Sequence, residues 1–375
     1  MTQSLRADPG EKIRVLAVAG ARPNFMKIAP LMKQLSARAD RFETVLVHTG
    51  QHYDQAMSES FFRDLGIPEP DVNLGVGSGS HGQQTAQVLM KIETLLIERR
   101  PHVVLVVGDV NSTLAATLAA VKLHIPVAHV ESGLRSWDRE MPEEINRVLT
   151  DAVSHWLFTT EADAEKNLLR EGVAPEKIHF VGNVMIDTLL EHRERARKLD
   201  TLERLGLTPQ GYAVLTLHRP SNVDAPEQLR RLFEVLGRLN RSLPVIFPVH
   251  PRTAHAIQQH LGGEKPDLQL TEPLGYLDFL RLLTDARMVL TDSGGIQEET
   301  TALGVPCLTL RESTERPVTV TEGTNTIVGT DPAAIEAAID TLRASSPSSG
   351  RRPALWDGQA AVRIVDILER DLGNP

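Results

Sequence analysis

Residues 103–130 read VVLVVGDVNSTLAATLAAVKLHIPVAHV. The segment holds an unbroken apolar run, a carboxylate at its end (Asp109), an amphipathic stretch of helical length from Asn111 to Leu123, and a second apolar run that stops at Glu131. Runs that are apolar without alternation are what strands buried on both faces require. A helix between two such strands implies a parallel pair joined by a right-handed crossover. The stretch therefore predicts a β-α-β unit of a doubly wound α/β sheet.

The same rhythm extends in both directions. Before and after this unit, apolar runs fall at 14–20 (RVLAVAG), 44–48 (TVLVH), 156–159 (WLFT) and 178–181 (IHFV). The second half repeats it at 212–217 (YAVLTL), 245–249 (VIFPV), 268–270, 288–291 (MVLT), 307–310 and 326–328. Helix-like segments such as 142–153 and 228–239 separate them. Two sets of about six units in 375 residues predict two Rossmann-like domains. Residues 1–12 read as a frayed polar tail, 13–190 as the N-terminal domain, 206–355 as the C-terminal domain and 356–375 as a closing helix. The charged stretch 187–205 marks the boundary. Residues 345–353 (SSPSSGRRP) read as an exposed loop, and 75–82 (GVGSGSHG) as a lid-like one.

Composition excludes several classes. With 41% apolar and 24% charged residues the chain is globular, and no run approaches the roughly 20 apolar residues of a membrane span. The polar N-terminus lacks the pattern of a signal peptide. Cys307 is the one cysteine, which excludes an internal disulfide and fits the reducing cytoplasm. A net charge of −9 argues against a nucleic-acid partner. No HExxH or cysteine cluster is present, so no metal site is expected.

Polar residues gather where the predicted strands end. Arg22 and Lys27 follow the first run, HTGQH (48–52) the second, Asp109 the third and Glu131 the fourth. In the second half His218, His250 and then Asp292-Ser293-Gly294-Gly295 do the same. Open α/β sheets bind ligands outside these carboxyl ends, so the site is expected in the cleft between the domains. Arg22 and Lys27 read as cations for a diphosphate or as a solvated pair, and Arg316 as a third such cation or a surface arginine. Ser293, Gly294 and Gly295 open a helix whose backbone N–H groups face an anion, or are capped by Asp292 or Ser293. Glu299, farther along, reads either as a ribose contact or as a solvated position. Asp109 reads as a functional acid or a helix cap, and Glu131 as a functional acid or the partner of Arg135. Glu143 and Glu144 suit a helix start on dipole grounds alone.

Taken together, GARPNFMK, HTGQH, GDVNST, HVESGLRS, MPEEINR, LHRPSN, PVHPR, TDSGGIQEE and RESTERP resemble, in order, the non-hydrolysing UDP-N-acetylglucosamine 2-epimerases. The resemblance runs from Val15 to Gly329. It implies the fold of the second large glycosyltransferase class (GT-B), with two Rossmann-like domains across a cleft and the C-terminal helix returning to the first. It also implies a homodimer, a UDP-sugar substrate, no cofactor and a place in cell-surface polysaccharide biosynthesis. Asp109, Glu131, Glu143 and His218 match the family's catalytic acids and bases. Arg22, Lys27, His250, Ser293, Gly294, Gly295, Glu299 and Arg316 match its substrate contacts. Asn24 departs from the Glu of many members, and the segment between Glu131 and Glu143 is shorter than in the best-known bacterial ones. Tyr53-Asp54 and Gln83-Gln84 stand where some members bind an activating second substrate.

The chemistry so implied is inversion at C2 through loss and re-addition of UDP. The alternatives are a hydrolysing epimerase releasing free N-acetylmannosamine, a glycosyltransferase of the same fold, a sugar-nucleotide sensor, and an epimerase of UDP-diacetamido-uronic acids.

Overall fold

The computed structural model describes residues 6–50, 64–249, 251–260, 266–344 and 351–373. The chain divides into two compact units, Met1–Thr188 with Ala354–Pro375, and Leu189–Pro353. Each is built on one parallel sheet with alternating helices.

In the first unit the strands are β1 (Ile13–Ala19), β2 (Phe42–His48), β3 (Val72–Asn73), β4 (Val103–Val107), β5 (Val127–Ser132), β6 (Trp156–Thr159) and β7 (Ile178–Phe180). Their order is β3-β2-β1-β4-β5-β6-β7. The helices are α1 (Arg22–Ala37), α2 (His81–Arg99), α3 (Asn111–Lys122), α4 (Pro142–Val153), α5 (Ala162–Arg170) and α6 (Val184–Arg197), the last passing into the second unit. Every residue of β4 is buried. Burying each of its valines contributes about 1.5–3 kcal/mol, which is why this run specifies a central strand. The expected runs all appear, and only the two-residue β3 carried no readable pattern.

The second unit holds β8 (Ala213–Thr216), β9 (Val245–Pro248), β10 (Gln269–Thr271), β11 (Met288–Thr291), β12 (Cys307–Thr309) and β13 (Asn325–Ile327), ordered β10-β9-β8-β11-β12-β13. Its longer helices are α7 (Pro226–Asn240), α8 (Pro251–His260), α9 (Tyr276–Thr284), α10 (Gly294–Leu303) and α11 (Pro332–Ala344). Both sheets thus reverse winding direction once, between β1 and β4 and between β8 and β11. That switch point is where doubly wound sheets bind ligands.

The C-terminal helix α12 (Ala360–Leu372) belongs to the first unit, as expected. The Asp187 carboxylate accepts the free amides of Ala360 and Ala361 at its start, at 3.2 and 2.8 Å. Arg38 of α1 pairs with Asp366 and Glu369, and the Trp356 indole donates to the Thr160 carbonyl.

Candidate active site

In the first unit the chemistry collects at the switch point and along the neighbouring strand ends. Arg22 opens α1, and its side chain lies outside what the structure describes. Asn24, one turn in, accepts from the Ala21 amide and donates to the Val107 carbonyl, each at 3.0 Å. It is thus a cap that staples α1 to the end of β4. Lys27 is buried and forms an ion pair with Glu131. Gly108 lies against both side chains: a β-carbon there would sit 3.0 Å from Lys27 Nζ and 3.4 Å from Asn24 Nδ2. With φ of +66°, that position takes glycine on both counts.

Glu131 is an extra residue in β5. Val130 pairs with Phe158 and Ser132 with Thr159, leaving Glu131 as a bulge with φ of +69°. A left-handed glutamate is costly, and bulges beside active sites re-aim a side chain. The alternative pairing with Arg135 is overturned. Arg135 binds Asp151 at 2.8 Å and Glu171 at 2.6 Å, because its chain turns away past Gly133 to face α4 and α5.

Asp109 is not the cap of α3, since Val110 occupies that place. The Asp109 carboxylate pairs with Arg147 of α4, and its carbonyl accepts from Asn146 at 2.9 Å. Arg147 also meets Glu144 at 3.1 Å. Glu144 accepts from the amides of Ser136 and Trp137 and from the Ser136 hydroxyl, so it folds the 133–141 loop onto α4. Glu143 is half-buried and carries no hydrogen bond or ion pair among the described residues. Its spacing to Asn146 and Arg147 sets it on the face of α4 turned to Asp109. Three carboxylates are thereby carried on adjacent segments.

His48 and Gly50 of HTGQH lie at the end of β2, where His48 Nδ1 accepts the Gly50 amide at 2.8 Å. Burial holds this histidine below its usual range. The remainder of that motif, Tyr53-Asp54 included, lies outside the described residues, as does His250.

In the second unit His218 and Asp292 face each other across the switch point. His218 Nδ1 lies 2.7 Å from the Asp292 carboxylate, which also accepts the amides of His218 and Arg219 and the amide group of Asn222. Burial works to raise the Asp292 carboxyl, but these bonds hold it below its usual range. Asp292 is therefore spent on His218 rather than on capping. Ser293 is the N-cap of α10 without a side-chain bond, and Gly294 and Gly295 present the first turn half-exposed. A β-carbon on Gly294 would run into the Arg316 guanidinium.

Arg316 is buried, not a surface residue, with Glu298 and Glu315 each at 3.0 Å. Two arginines that strand-end reasoning passed over complete the cluster. Arg219 reaches the Asp292 carbonyl at 3.2 Å and Glu315 at 3.5 Å, and Arg311 meets Glu315 at 2.9 Å. Burial, then repulsion from Arg311, hold Arg219 below its usual range. Arg219, Arg311 and Arg316 thus gather beside the N-terminus of α10 with Glu298 and Glu315 paired among them, and cations at a helix N-terminus suit an anion. Both residues lie inside quoted motifs, LHRPSN and RESTERP, which was the available signal. Glu299 is buried rather than solvated, and burial beside Glu298 pushes it up to about 8. Among the described residues no group of three or more His, Cys, Asp or Glu could hold a metal. No described helix is long and apolar enough to cross a membrane.

The chain as a whole resembles known proteins in sequence and fold. The family model described as UDP-N-acetylglucosamine 2-epimerase matches residues 33–369. The UDP-N-acetylglucosamine 2-epimerase of Methanocaldococcus jannaschii is 40% identical over 367 residues, 95% of this chain and 99% of its own. The UDP-2,3-diacetamido-2,3-dideoxy-D-glucuronate 2-epimerase of Pseudomonas aeruginosa is 43% identical over 364 residues, 96% of this chain and 100% of its own. The crystal structure of the M. jannaschii UDP-GlcNAc 2-epimerase in complex with UDP-GlcNAc and UDP matches with a TM-score of 0.88 at 40% identity, over 95% of this chain and 99% of that one. With carboxylates at the first switch point, arginines at the second and both sheets in the same winding, the chain belongs to the UDP-N-acetylglucosamine 2-epimerase family.

Proposed function

We propose that the protein interconverts UDP-N-acetylglucosamine and UDP-N-acetylmannosamine without hydrolysis. The observation that carries this reading is the set of three carboxylates, Asp109, Glu131 and Glu143, on neighbouring segments of one unit, with Glu131 held on a strained bulge. The C2 proton is not next to a carbonyl, so its removal needs the C1–O bond to break. As UDP departs with the bonding pair, a carboxylate takes the C2 proton and the C1–C2 double bond of 2-acetamidoglucal forms. A protonated group on the other face then returns a proton to C2 while a UDP oxygen re-attacks C1. Serving two faces of one carbon is the reason for several acids, each worth about 10²–10⁴ in rate.

The second unit supplies the diphosphate end of the reading. Arg219, Arg311, Arg316 and the first turn of α10 stabilise the departing charge, with His218 oriented by Asp292. Glu299 and His250 serve the nucleoside, and Arg22 and Lys27 add cations. The test is a proton NMR time course in D2O with either epimer. Convergence on one mixture with deuterium at C2 supports the reading, whereas stoichiometric free N-acetylmannosamine would make the enzyme hydrolytic. The identity to the Pseudomonas protein favours one second reading, epimerisation of a UDP-diacetamido-uronic acid. Comparing kcat/KM for the two sugars separates them.

We further propose a homodimer. Ile145, Leu149 and Val153 form an exposed apolar stripe at helical spacing on α4, and Met90 and Ile97 are exposed on α2. A monomeric mass in solution at micromolar concentration would refute it.

A further inference from the structure

His129 is fully buried in β5, two residues before Glu131, and takes no part in the chemistry above. Its Nε2 lies 2.8 Å from the carbonyl of Gly108, the residue before Asp109. Its Nδ1 lies 2.7 Å from Asp151, two turns beyond Glu143 on α4. A carbonyl oxygen can only accept, so Nε2 donates. Asp151 also accepts the Gly133 amide at 3.0 Å and Arg135 Nη1 at 2.8 Å, which makes it an ionised acceptor, so Nδ1 donates as well. An imidazole that donates from both nitrogens is the imidazolium. The residues two before and two after the Glu131 bulge are thus tied to a single carboxylate. Gly133 has no slack there, since a β-carbon would collide with the Ala164 carbonyl. Arg135, locked by Glu171 at 2.8 and 2.6 Å, closes the network from outside.

We propose that His129 and Asp151 are positioning residues, a buried cation–carboxylate pair that sets the relative places of the three segments carrying Asp109, Glu131 and Glu143. The inference rests on the proton-transfer roles proposed above. Proton transfer on two faces of one carbon tolerates little displacement, and an error of about 1 Å costs roughly 100-fold in rate. The ring satisfies this with two bonds that no other side chain supplies from one site. Gln at 129 keeps a donor for the Gly108 carbonyl, Asn keeps one for Asp151, and Ala keeps neither.

The experiment compares wild type with His129→Gln, His129→Asn, His129→Ala and Asp151→Asn in full-length protein. The readouts are kcat, KM, UDP affinity, C2 deuterium incorporation and release of 2-acetamidoglucal. Positioning predicts that kcat falls about 100-fold in His129→Ala with KM and UDP affinity unchanged, and that the glucal intermediate leaks. His129→Gln or His129→Asn should recover part of the loss. Ile364→Val, in the core of α12, should lower Tm without changing kcat or the leak. A kcat loss in the His129 variants that only tracks their unfolded fraction overturns the inference. Should the His129 variants not fold, Asp151→Asn decides by the same kinetic split. A 15N spectrum of the wild-type His129 ring is independent of turnover. Two protonated nitrogens support the inference and a neutral tautomer overturns it. An inactive wild type would instead sink the functional reading and leave that spectrum to decide.

Discussion

Lys27 of α1 and Glu131 of the β5 bulge form a buried ion pair at the switch point of the first sheet. The pair brings a cation expected to meet the substrate onto a carboxylate expected to move a proton. Removing one partner takes this ion pair away from a charge that stays buried.

Lys27→Met is therefore expected to destabilise the first unit by about 3–5 kcal/mol, with Glu131→Gln acting in the same direction. The double variant Lys27→Met/Glu131→Leu should regain much of that stability and no activity. All three tryptophans, Trp137, Trp156 and Trp356, lie in the first unit, so their fluorescence in a urea titration reports it selectively. A double variant no more stable than Lys27→Met alone would contradict this.

Binding and chemistry should separate by unit. Arg316→Ala removes a guanidinium from the α10 N-terminus and should weaken UDP binding about 10–100-fold, the worth of charge-assisted hydrogen bonds. Asp109→Asn should leave UDP affinity intact, measured by calorimetry, while turnover drops by about 10²–10⁴. Normal turnover in Asp109→Asn would strike that residue from the mechanism.

Glu299 makes a pH prediction of definite sign. Its carboxyl is raised from 4.5 to about 8, so the folded state resists ionisation. Below about 4.5 the group is neutral whether folded or unfolded and costs nothing. As pH rises toward about 8 the unfolded chain ionises first, and stability is progressively lost. Glu299→Gln should match wild type at the acid end and have the higher Tm at and above pH 8. A wild type that gains stability relative to this variant across the same window would refute the assignment.

Epimerase activity should survive EDTA and removal of nicotinamides. The sequence has neither a metal-ligand spacing nor the full dinucleotide glycine fingerprint, and the proposed steps are proton transfers and C–O cleavage. Loss on chelation that one divalent ion restores would count against them.

Leak of 2-acetamidoglucal and UDP should mark Glu143→Gln and His218→Ala, the two variants expected to slow re-addition more than elimination. Neither releasing any glucal, at reduced turnover, would remove the intermediate from the proposal.

Burial on both faces writes itself into sequence as unbroken apolar runs, so β1, β4, β8 and β11 were legible without coordinates. The same reading found the strand ends where Asp109, Glu131, His218 and Asp292 stand. It missed β3, whose two residues carry no period, and it missed Arg219, Arg311 and Arg147, which lie inside quoted motifs but were not singled out from them.

What the sequence by itself determined is the alternation of strands and helices, the places where polar chemistry begins, and the family. Those features are local: a period of two or three to four residues, or a motif, is complete within a short window. Partnership is not local. Whether Glu131 meets Arg135 or Lys27 depends on β1 lying beside β4 and on the bulge turning residue 131 toward α1, and both are properties of sheet order and backbone angle. The same holds for Asp292, which reads as a helix cap and is instead held by His218, Arg219 and Asn222. Only the folded chain decides which charge neutralises which, because the pairs Lys27–Glu131, Asp109–Arg147 and His218–Asp292 join segments that the strand crossovers carry together from far apart in sequence.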